Sequence, residues 1–276
     1  MKKSLFAILA VLPVAAAAQF FYSDIIGTAQ LNDRIKIYTA NKVTAITATG
    51  YDARGNRSPD FNEMQEIDEK NRVLKAATRN GQTISRQYYY FDDRQRVIRI
   101  VDSATLQSTS EYRYEDDRLI SISTITRDPA SDFSKEEVRS WLYENGRPAK
   151  MWRVLNKVDS TEYRFLADEK GNIATEQLIR RGAVADEIFY YYNDMNLLTD
   201  VVRYDKKVKQ LMPDFMFEYD EAGRLLQKTT ILSTAAREYL IWRYVLNEKG
   251  LKTKEALFNK QKELNGRIDY AYTFRP

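Results

Sequence analysis

The stretch Phe215 to Lys228, FMFEYDEAGRLLQK, decides how the rest of the chain is read. Phe215, Phe217 and Tyr219 alternate with Met216 and Glu218, so in an extended strand the three rings fall on one face. Aromatic rings suit that setting because they cover the broad surface of a pleated face. Asp220 then breaks the alternation, and Gly223 follows three residues later. An aspartate there accepts from nearby backbone N–H groups, and a glycine takes the left-handed conformation that closes a tight turn. Leu225 resumes the apolar alternation, which makes the stretch one β-hairpin.

Inexact copies fill most of residues 43–274. Taking the apolar residue before each turn as an anchor gives Tyr51, Ile67, Phe91, Tyr114, Tyr143, Ala167, Tyr192, Tyr219 and Leu246. Four positions after seven of these stand Gly55, Asn71, Gln95, Gly171, Asn196, Gly223 and Gly250, while Tyr114 and Tyr143 precede turns one residue shorter. Six of the seven are Gly or Asn, the residues that tolerate positive φ best. From Ile67 onward the anchors lie 23 to 29 residues apart, the length of two strands and their connections.

One hairpin is barely stable in water, so successive units must pair edge to edge. The expected fold is therefore all-β: an antiparallel meander of about eight β-hairpin repeats forming a curved open sheet. A closed β-barrel or a half-barrel is the alternative, because short turns alternating with longer connections are also the pattern of a closing array. The connections opposite the tight turns are expected to be longer and polar: 80–85, 103–110, 126–136, 156–161, 180–186, 205–214 and 259–266.

Residues 1–18 read as a secretory signal peptide, with Lys2 and Lys3, an apolar core and small residues ending at Ala18. An amino-terminal segment, 19–42, precedes the repeat domain at 43–276. Asp33 to Tyr38 fits either a first strand or a helix end. The chain has no Cys and no His, which excludes disulfides, thiolate metal sites and every Ser-His or Cys-His catalytic arrangement. Without the leader's two lysines, 41 basic residues face 39 acidic ones, a balance that gives no case for nucleic acid. No enzyme activity, cofactor or metal is expected.

The acid groups Asp92/Asp93, Glu115/Asp116/Asp117 and Asp220/Glu221 sit at turn starts, where acids serve local bonding. The runs Tyr88–Phe91 and Phe189–Tyr192 place rings on both faces of a strand, so one face is free for stacking on a sugar or holding a peptide. Tyr88, Tyr90, Trp152, Tyr191 and Trp242 are accordingly the candidate ligand surface. Lys206, Lys207, Lys209, Arg180 and Arg181 read as solvated loop charges.

FEYDEAGRL at Phe217 to Leu225, and more loosely YDARGN at Tyr51 to Asn56, resemble the tyrosine-aspartate (YD) repeats of the rearrangement-hotspot family. FYYYNDMNLL and WLYENGRPAKM also resemble bacterial MORN-like hairpins. The resemblance implies β-hairpin architecture and an envelope or surface setting, and it brings no catalytic residues. The resulting expectation is an exported protein, periplasmic or extracellular, presenting a binding or structural surface to a protein, glycan or lipid of the cell envelope. Membrane association enters through the alternatives: an outer-membrane β-barrel, or a periplasmic half-barrel carrying a lipid or lipoprotein chain.

Overall fold

The computed structural model describes residues 19–206, 208–232 and 238–276; the leader therefore lies outside the described residues. A π-helical turn, Phe21–Ile26, runs into α1, Gly27–Ala40. Eighteen strands follow. The first six are β1 Val43–Asp52, β2 Arg57–Asp68, β3 Val73–Asn80, β4 Thr83–Phe91, β5 Val97–Ser103 and β6 Gln107–Glu115. Next come β7 Arg118–Arg127, β8 Ser134–Glu144, β9 Arg147–Leu155, β10 Asp159–Ala167, β11 Ile173–Arg180 and β12 Ala183–Tyr192. The last six are β13 Leu198–Asp205, β14 Gln210–Tyr219, β15 Leu225–Ile231, β16 Tyr239–Leu246, β17 Lys252–Phe258 and β18 Leu264–Phe274.

Each strand pairs antiparallel with its neighbour in sequence, and β1 pairs with both β2 and β18 along its length, Ala48 standing opposite Glu63 and Tyr270. The sheet is thus a closed barrel. This corrects the open-sheet and half-barrel expectations and bears out the closed alternative. The physical reason lies at the turns: a register shift occurs at Tyr90/Phe91, Arg113/Tyr114, Leu142/Tyr143, Tyr191/Tyr192 and Glu218/Tyr219, among others. Each bulge adds twist and bend to its strand, and repeated around the sheet they bring β18 back to β1.

The turn chemistry repeats as read. Asp220 accepts from the N–H groups of Ala222 and Arg224, while Gly223 donates to the Asp220 carbonyl with φ 77°. Asp52, Asp92, Asn193, Asn247 and Asn259 hold their five-residue turns in the same way. Gln95 shares the left-handed backbone with the glycines, φ 57°. At Ile67 the register differs by one, and Arg72 rather than Asn71 takes positive φ, because the turn there is a residue shorter than its copies.

The barrel has two rims. β1 begins and β18 ends at the near rim, which also carries the turns after Ile67, Phe91, Tyr114, Tyr143, Ala167, Tyr192, Tyr219 and Leu246. The turn after Tyr51 belongs to the far rim. So do the connections expected to be long, and several of these are short: β3 and β4 are joined through Gly81 and Gln82, β11 and β12 through Arg181 and Gly182. Their polar flanks are strand. Ser85, Gln87, Ser108 and Ser110 face the interior, in register with Thr78, Ala76, Asp102 and Ile100; a polar lumen wall has no apolar alternation to mark it.

Tyrosines lock adjacent hairpins at the near rim, where no turn joins them. Tyr114 donates to the Val97 carbonyl, Tyr143 to Leu119, Tyr192 to Ile173, Tyr219 to Leu198 and Tyr272 to Lys252, at 2.7 to 2.9 Å. This is the physical content of the Tyr-Asp pair: the acid builds the turn and the ring binds the turn to the strand beside it.

The amino-terminal segment is helical and lies in the lumen. Phe21 packs against Phe165 and Tyr190, and Tyr22 against Phe215 and Phe217, on the β10 to β14 wall. Farther along, Ile35 and Tyr38 join Val43, Ile46, Leu74 and Val97 in a second core on the β1 to β5 wall. The segment therefore crosses the bore beneath the near rim.

Candidate functional site

The lumen divides at the helix. On the near-rim side, apolar side chains from the wall and the helix fill the space: Ile122, Met151, Val201 and Leu74 are each at most 1% exposed. Toward the far rim the inward residues of β3 to β6 are mostly polar and half-buried, whereas Ala48, Phe61 and Ile268 form a small buried apolar cluster on β1, β2 and β18. Gln87 bonds Asp102 and Tyr89, and Glu63 bonds Thr78.

Buried ionic contacts hold the first turns of the helix. Glu176, 2% exposed, accepts from the backbone N–H groups of Phe20 and Phe21 at 3.0 and 2.9 Å and from the Tyr190 hydroxyl at 2.7 Å. These groups are otherwise unpaired at a helix start, and an anion there also suits the helix dipole. Burial pushes the Glu176 carboxyl up to about 7, although the three hydrogen bonds pull it down. Asp24 is likewise raised by burial, to about 6, against the opposing pull of Arg139, whose Nη1 lies 2.6 Å from its Oδ1. Burial also acts against Glu137, but Arg153 at 2.7 Å and Arg139 hold that carboxyl below its ordinary value. At the chain's first described residue Gln19 donates to Asp214, which also pairs with Arg203.

Among the described residues, Lys228 is an inward cation of the strand wall without an ion-pair partner. Lys228 on β15 faces the lumen between Phe217 and Trp242, its direct neighbours on β14 and β16. Its ammonium lies 4.5 Å from the Phe215 ring centroid and 5.5 Å from that of Tyr22. Burial depresses its pKa to about 8.

The residues expected to form a ligand surface do not come together. Tyr88 and Tyr90 point outward from β4, Tyr90 beneath the Arg99 guanidinium at 4.4 Å. Trp152 on β9 and Tyr191 on β12 are also outward and exposed, several strands away. Trp242 faces the lumen beside Lys228. Sequence reading passed over Glu176, Asp24 and Lys228. The legible signal for each was a lone charge at an inward position of an alternating strand, or within an otherwise apolar helical start.

No protein-family model matches the sequence, and no curated protein matches it. Among solved structures, a porin-like protein from Bacteroides uniformis is similar at 8% identity and a TM-score of 0.38, over 84% of this chain and 98% of that one. A porin-like protein from Bacteroides vulgatus follows at 12% identity and 0.26, over 85% and 98%. The Photorhabdus luminescens Tc holotoxin pore is similar at 10% identity and 0.31, over 82% of this chain and 15% of that one. Likeness at this level assigns no activity.

Proposed function

We propose that the protein is an exported, non-enzymatic binding barrel of the cell envelope that faces water on its outside and takes its ligand into the far-rim half of the lumen. The supporting observation is the polarity of the two faces. Outward positions carry Lys75, Arg99, Arg113, Lys150, Arg164, Arg243 and Lys254, spread from β3 to β17, with Glu66, Glu111 and Glu162 among them. In a membrane barrel that wall would contact hydrocarbon, where each Arg or Lys at mid-depth costs about 2–4 kcal/mol. The apolar cores lie inside instead.

The second reading is an outer-membrane barrel, favoured by the even strand number and by β1 and β18 meeting at one rim. Fractionation separates the two. A water-facing barrel is released from the envelope by carbonate washing and stays monodisperse without detergent. Retention in outer membranes after that wash, with heat-modifiable migration, would favour the second reading. The lumen assignment has its own test, because the chain has no cysteine. In Gln87→Cys the single thiol should react with a small maleimide in the folded protein; protection equal to that of a core position, such as Met151→Cys, would reject an accessible lumen.

A further inference from the structure

Lys228 is half-buried and has no anionic partner among the described residues. The other described cations that face the interior in this part of the barrel are paired, Arg203 with Asp214, Arg139 with Asp24 and Lys252 with Glu255. Among the described residues no carboxylate lies within ion-pair distance of Lys228, although Phe215, Phe217 and Tyr22 present their rings to it. A ring face offsets part of an ammonium's lost hydration, whereas a buried charge is stabilised fully only by a hydrogen-bonded counter-charge.

The surroundings specify what would supply that charge. Trp242 stands directly opposite on β16, with Leu257 beyond it on β17, and Thr230 and Leu240 form the next inward pair toward the far rim. The wall is apolar and aromatic, with a single cation. A phosphate dianion needs several converging donors, so the surroundings suit a monoanion attached to an apolar body.

We propose that Lys228 is the anchor of a ligand site for a carboxylate-bearing amphiphile, its carboxylate on the Lys228 ammonium and its apolar body against Trp242 and Leu257. The site rests on the reading of the lumen as the binding place. It differs in kind from the paired charges that hold the helix, because pairing leaves those no free valence for a ligand.

The test uses residues 19–276 without detergent, titrated calorimetrically with octanoate, octanamide and inorganic phosphate. Octanoate is expected to bind with one site per chain, and octanamide and phosphate at least about tenfold more weakly. Lys228→Met should lose octanoate binding by at least about tenfold, and Lys228→Arg should retain it. Affinity should also fall by about tenfold per pH unit above 8 as the ammonium deprotonates. Equal affinity for the acid and the amide, unchanged octanoate binding in Lys228→Met, or no octanoate binding at all would overturn the proposal. Lys228→Met also removes a desolvated charge, so the variant is expected to fold, and its melting curve checks this. Failure here with normal labelling of Gln87→Cys would reject the carboxylate site while leaving the lumen reading standing; failure of that labelling would remove both.

Discussion

Gly223 and Glu176 carry the residue-scale consequences. At φ 77° Gly223 stands where a Cβ would be strained, and an added Cβ would also come within 3.3 Å of Leu197 Cδ1. Gly223→Val should therefore destabilise the protein in urea by about 1–3 kcal/mol. Gly223→Asn should cost distinctly less, because Asn196 occupies the equivalent backbone at φ 57°. Equal losses would show that the turn assigned to every copy is wrong. Glu176 sets a pH dependence. Its folded pKa of about 7 lies above the ordinary 4.5, so the folded protein binds this proton more tightly than the unfolded chain does. The associated stability is complete below pH 4.5 and is lost as pH rises through 7. Asp24, raised to about 6, acts in the same direction. Glu176→Gln should flatten the fall in stability between about pH 5 and 7 and leave the Asp24 share. An unchanged slope in melts across that range would show that Glu176 does not titrate there.

At the scale of the hairpin, Tyr219→Phe removes only the hydroxyl that meets the Leu198 carbonyl at 2.7 Å. Loss of one such bond should cost about 0.5–1.5 kcal/mol, with the fastest new amide exchange at the near rim beside Leu198. Exchange that rises uniformly instead would show that the tyrosine does not lock neighbouring hairpins. Most of this element was legible beforehand. Alternation fixed which side chains share a face, and turn chemistry located six of the seven left-handed positions, Gln95 included, missing by one at Asn71. What failed to show was strand whose inward face is polar. Ser85, Ser108 and Ser110 face the lumen, so neither face there is continuously apolar and the segments resembled loops. The helix was illegible for a related reason. Enclosed by a barrel, it needs no single apolar stripe: Phe21 meets the β10 to β14 wall, while Asn32 and Ile35 meet the β1 to β5 wall.

The whole molecule depends on one pairing that local sequence does not encode. Every other strand pair is joined by a short connection, but β1 meets β18 only because twist and bulges accumulate over the full array. The candidate site shares this dependence, since Lys228, Trp242 and Tyr22 enclose a lumen only if the sheet closes around the helix. Hairpin periodicity gave the units and left closure open, while the lysines and arginines of the alternating strands stand on the outer face of the closed wall. The most direct measurement is residue-resolved amide hydrogen exchange of residues 19–276 in buffer without detergent. A closed, water-facing barrel predicts that the amides of Ala45 to Thr49 on β1 are as slow as those of Glu137 to Ser140 on β8, because both segments are paired on both sides. Alternate β1 amides exchanging at loop rates, or a protein that keeps its fold only in detergent, would contradict it.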